Sequence, residues 1–141
     1  MDKVATVKWV DHLTMLAETA SGHGLVMDGP PDVGGQNLGP RPMELVLAGL
    51  GGCTTVDVIV ILQKAGQDVR GCRVEVSAER ADTVPKVYTK IHVHYIVSGK
   101  NLDAKKVERA VKLSAEKYCS VSRMLEQAAA MTHDFTIEEV D

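Results

Sequence analysis

The chain has 141 residues, 45% hydrophobic and 25% charged, with 16 basic against 19 acidic side chains and a net charge of −3. These values suit one globular domain with a core of useful size and offer no basic footprint for nucleic acid. One Trp, three Tyr and one Phe leave little aromatic surface for stacking on bases.

The opening stretch "MDKVATVKWVDH" alternates and lacks the basic-then-apolar pattern of a signal peptide, so the expected location is the cytoplasm. Residues 3–10 read as a strand, with Ala5, Val7 and Trp9 on one face. Residues 13–20 and 23–29 read as two more, with Ser21-Gly22 as the turn between them, giving an antiparallel meander over about 3–29. The loop 29–42, "GPPDVGGQNLGPRP", holds four glycines and four prolines, which neither helix nor strand can accommodate. A loop of this length is either functional or a solvated connector.

Pro42 suits the first turn of a helix that runs over 42–65. Leu45, Leu50, Val58, Ile59 and Leu62 make it apolar nearly all round, so it must be covered on most sides. A single sheet from so short a chain covers one side, and a second subunit is the simplest cover for the other. The helix approaches the length of a membrane span, but Asp57 and the glycines interrupt it and no second span follows; no membrane association is expected. Asp57 needs a partner or a cleft, a hydroxyl such as that of Thr54 being the simplest. Gly49, Gly51 and Gly52 weaken the helix by roughly 1 kcal/mol each relative to Ala, which points to close approach there by another backbone or a ligand.

Residues 72–82 and 86–99 alternate and form a hairpin over 70–98, with Cys72, Val74 and Val76 inward on the first strand and Ile91, Val93, Tyr95 and Val97 inward on the second. Helices fill 103–131: an amphipathic one to residue 118 capped by Asp103, then one over 120–131 with Ser120 as N-cap. A last strand covers 133–140. The expected fold is α+β, with helices packed on a strongly bent antiparallel sheet.

Three cysteines, Cys53, Cys72 and Cys119, show no CxxC spacing, which excludes zinc-ribbon and thioredoxin motifs. Cys72 reads as core. Cys53 lies mid-helix with nothing basic within four residues, and reads as core or as a thiol reached through the glycines. Cys119 adjoins a helix N-terminus, which favours a thiolate, although a buried structural thiol fits equally. His92 and His94 form an HxH on an outward strand face without a third ligand in sequence, so a solvated face is expected and no metal. "GGQNLGP" lacks the spacing and lysine of a phosphate loop, and no cofactor is expected.

"GPRPMELVLAGLGGCTTVDV" (39–58) together with "EKYCSVSRML" (116–125) closely resembles the OsmC/Ohr family of osmotically inducible and organic hydroperoxide resistance proteins, in its YhfA-like branch. The resemblance covers essentially the whole chain. It implies an OsmC-like fold with a long apolar central helix in the middle of an intertwined homodimer. It implies a thiol peroxidase in which Cys53 attacks a small organic hydroperoxide, Cys119 resolves the product to a disulfide, and a dithiol reductant restores both. Arg41, the only Arg before the helix, and Glu44 are the matching orienting groups. The family's acidic residue directly follows the opening Pro, a position held here by Met43, with Glu44 one residue later. The alternative is a non-enzymatic dimer whose loop, Gly-rich helix and thiols bind a small apolar or thiol-containing ligand.

Overall fold

Alternation of side chains becomes strand in the N-terminal third. In the computed structural model, which describes all 141 residues, β1 (Ala5–Asp11), β2 (Thr14–Thr19) and β3 (Gly24–Met27) form an antiparallel sheet in that order. Gly22, at φ 89°, makes the turn between β2 and β3 in the left-handed region that glycine enters without penalty. On β1, Val7 and Trp9 are 53% and 75% exposed.

The chain divides into two compact units, residues 1–47 and 48–141. Helix α1 (Pro42–Lys64) starts in the first and continues into the second. Its start carries one half of a capping box: Pro42 needs no N–H partner, and the Arg41 N–H donates to Glu44 Oε1 at 2.8 Å. It stops at Gly66, φ 74°, whose N–H donates to the Gln63 carbonyl while that of Gln67 donates to Leu62, both at 3.0 Å. Only 22% of the most apolar stretch of α1 is buried, and Val56 is 62% exposed. By length and composition alone it is the one helix that could cross a membrane.

The second unit carries a sheet in the order β4 (Asp68–Arg80), β5 (Tyr88–Lys100), β6 (Ala130–Glu139). The β4–β5 hairpin is antiparallel, with Cys72 opposite Val97 and Val74 opposite Tyr95. The strands thus form two three-stranded sheets, and β6 pairs with β5 in parallel, Ala130 opposite Lys90. The parallel pairing follows from the helical crossover after β5, which returns the chain to the end where β5 began. Ile91, Val93, Tyr95 and Val97 of β5, with Leu50, Val58 and Leu62 of α1, form the buried core. Helix α2 (Ala104–Leu113) adds Val107, Ala110 and Val111.

The helical segment differs from the sequence expectation. Asp103 caps α2 as foreseen, accepting the Lys105 N–H at 2.9 Å, but α2 ends at Leu113 and the chain continues as a π-helical turn, Ser114–Tyr118. The following α3 (Ser120–Leu125) has six residues, and its N-cap is Cys119 rather than Ser120. Pairing with β5 recruits residues 130–132 into β6, overriding the helix propensity of the Ala128–Met131 run.

Candidate functional site

Cys53 lies at the midpoint of the apolar helix, half-buried, and Cys119 lies fully buried between the π turn and α3. The fold joins them although 66 residues separate them: the Cys119 thiol hydrogen-bonds to Cys53, and both are free thiols. Cys119 is held from both sides. Its N–H donates to the Ser114 carbonyl at 2.9 Å, and the Ser122 N–H donates to its sulfur at 3.4 Å.

The sequence left two readings of Cys119 open, a thiolate favoured by a helix terminus and a buried thiol. In the structure the thiol is buried and pushed up to about 11. Burial is the main cause, with the Cys53 contact and the negative charge of Asp57 acting in the same direction and the Ser122 N–H opposing them. A one-and-a-half-turn helix offers too small a dipole to outweigh desolvation. Cys119 therefore holds its proton firmly, beside Cys53. Cys72, on β4, is half-buried rather than in the core, and burial raises its thiol as well.

Behind the pair runs a chain of hydroxyls. Thr54, next to Cys53, bonds Tyr95 Oη at 2.6 Å and Ser114 Oγ at 2.6 Å, and Ser114 donates to Asp57 Oδ2 at 2.8 Å. Asp57 thus takes a hydroxyl partner, as its sequence context required, but the hydroxyl comes from Ser114, with Thr54 one bond further on. Burial raises the Tyr95 phenol to about 12, so Tyr95 enters the chain as a donor.

Arg41 and Glu44 belong to the first unit, and their polar groups serve the loop and the helix start. The Arg41 guanidinium donates to Asn37 Oδ1 at 2.8 Å and to the Gly39 carbonyl at 3.1 Å, while Glu44 caps the Arg41 N–H. Sequence reading passed over Asp28, which organises the same loop from its start. Its carboxylate accepts from the Thr14 hydroxyl (2.7 Å) and from the N–H groups of Gly29, Gln36 and Leu38. Burial opposes its charge, but these four donors together hold its carboxyl below the usual range. The one available signal was an aspartate directly before a Gly-Pro-Pro turn.

His92 and His94 sit on the outer face of β5 as expected, sharing one carboxylate oxygen of Asp134 on β6 at 2.9 and 2.7 Å. The parallel register that puts Asp134 opposite His94 was not legible in sequence. The two imidazoles lower the Asp134 carboxyl.

The family profile of OsmC-like proteins matches residues 34–134. The protein YhfA of Escherichia coli strain K12 is 49% identical over 133 residues, 94% of this chain and 96% of that protein. Among solved structures, a hypothetical protein from Aquifex aeolicus VF5 shares 30% identity and superposes with a TM-score of 0.87, covering 100% of this chain and 99% of the other. The organic hydroperoxide resistance protein OhrB of Bacillus subtilis shares 17% identity, with a TM-score of 0.63 over 95% of this chain and 98% of that one; at this identity the likeness is one of fold.

Proposed function

Since the chain belongs to the OsmC-like family, we propose that it is a thiol-dependent peroxidase of small organic hydroperoxides, acting as a homodimer in defence against oxidative stress. The contact between Cys53 and Cys119 carries this reading. Cys53 attacks the O–O bond, yielding an alcohol and a Cys53 sulfenic acid. The Cys119 thiol condenses with it, releasing water and leaving a Cys53–Cys119 disulfide. A dithiol then reduces the disulfide and is itself oxidised. The raised Cys119 thiol, which keeps its proton, favours Cys53 as the nucleophile and Cys119 as the resolving partner. In this reading Arg41 and Glu44 order the loop before the helix and the helix start itself.

The second copy is supported by what one chain leaves uncovered. Much of α1 is exposed, a Cβ added at Gly49 or Gly52 would meet nothing within 4 Å, and Val7 and Trp9 of β1 are exposed. Such apolar surface marks an association face.

Turnover of cumene hydroperoxide with a dithiol reductant tests the activity. Wild type consumes peroxide and Cys53→Ser does not; a wild type without turnover ends the reading. A second reading, a dimer that binds a small apolar or thiol-containing ligand without turnover, is favoured by the raised Cys119 thiol and by Met43 at the family's acidic position. Titrating the alkylation of Cys53 against pH separates the two. A thiol that reacts well below the ordinary cysteine range supports the enzyme, and an ordinary one the binder.

A further inference from the structure

Three elements meet in the hydroxyl chain behind the cysteines, and its direction is fixed by counting protons. Asp57, as a carboxylate, can only accept. Ser114 has one proton, given to Asp57 Oδ2 at 2.8 Å, with the Thr54 carbonyl a longer alternative at 3.3 Å. Thr54 must then donate to Ser114, and Tyr95 to Thr54. The three hydroxyl residues are each 1% exposed or less, so none can turn to water instead. Asp57 stands four residues after Cys53, on the same face of α1. Ser114 begins the π turn, and its own carbonyl accepts the Cys119 N–H. One charge-assisted bond therefore ties the helix bearing Cys53 to the turn bearing Cys119.

We propose that Asp57 is a positioning residue for the cysteine pair: by accepting the Ser114 hydroxyl it holds the π turn where the Cys119 sulfur meets Cys53. The proposal rests on reading the two cysteines as a redox pair. It concerns closure of the disulfide, in which the Cys119 sulfur displaces the hydroxyl of the Cys53 sulfenic acid as water, or in which both thiol hydrogens pass to an azo oxidant.

Closure is measured on the full chain with the azo oxidant diamide, quenching with an alkylating agent and mapping the Cys53–Cys119 peptide by mass. Asp57→Ala is expected to close about tenfold more slowly, the scale of loss that small misplacement of reacting groups produces. Asp57→Asn, whose amide oxygen accepts the same bond without the charge, is expected to restore closure to within about twofold. Ser114→Ala removes the donor of that bond and is expected to match Asp57→Ala, which keeps the test intact should one variant fail to fold. If Asp57→Ala or Ser114→Ala folds and closes at the wild-type rate, the proposal is overturned while the redox reading stands. An Asn variant as slow as the Ala variant overturns the hydrogen-bond route. Wild type that never closes overturns both.

Discussion

Cys119 shows how local surroundings outweigh position in the chain. Its place before a helix favoured a thiolate; burial, the Cys53 contact and Asp57 keep the proton on. Two outcomes follow. In the reduced protein, Cys119 alkylation should stay slow through the ordinary thiol range and rise only toward about pH 11, which peptide mapping across pH reads directly. Because the folded value lies above the ordinary 9.0, the Cys119 contribution to stability is fully present below about pH 9 and is lost as pH rises through about 11. Thr54 gives the companion case. Thr54→Val leaves the Tyr95 hydroxyl without its acceptor in a dry interior, while Ser114 keeps Asp57, and should cost about 1–3 kcal/mol in urea unfolding; a change within a few tenths would mean that the Tyr95 hydroxyl finds another partner. At this scale the sequence was half legible. The need of Asp57 for a hydroxyl follows from a charge within an apolar helix. Its donor, Ser114, is 57 residues away, and no local pattern specifies such a pairing.

Among the elements, α1 is the one whose sequence said most. Pro42, the continuous apolar surface and Gly66 locate it within one residue of its observed end. Local signals failed where tertiary pairing decided the outcome: at the π turn, where Ser114 is drawn into the buried hydroxyl chain, and at Ala130, claimed by β5. The glycines of α1 give a prediction with opposite signs. Gly52 faces open space within one chain, so Gly52→Ala should stabilise an uncovered helix by about 1 kcal/mol. If a second copy packs there, the added methyl meets it and the melting temperature falls instead; the homodimer reading predicts the fall. Loop 29–42 offers a pH prediction. Asp28 is held below the usual carboxyl range by four donors, so the stability it lends is present above about pH 4 and drops as acid titrates it. Asp28→Asn should loosen the loop at neutral pH, seen as faster amide exchange at Gln36 and Leu38; unchanged exchange would show that other bonds suffice.

For the whole molecule, the resemblance in residues 39–58 and 116–125 supplied an expectation that periodicity could not: that two remote cysteines work as a pair. Composition and alternation gave the α+β class, yet neither revealed that the strands form two sheets or that β6 runs parallel, because strand order depends on the crossover rather than on any strand's own residues. Uncovered apolar surface on α1 and β1 predicts a particle of twice the chain mass by sedimentation equilibrium at micromolar concentration, with a monomer contradicting it. The redox pairing is tested most directly by intact-mass and peptide analysis of the reduced protein after one equivalent of cumene hydroperoxide. The predicted result is loss of two hydrogen atoms with a single Cys53–Cys119 cross-linked peptide. Recovery of both thiols free, or of oxidised Cys53 beside an alkylatable Cys119, would contradict it.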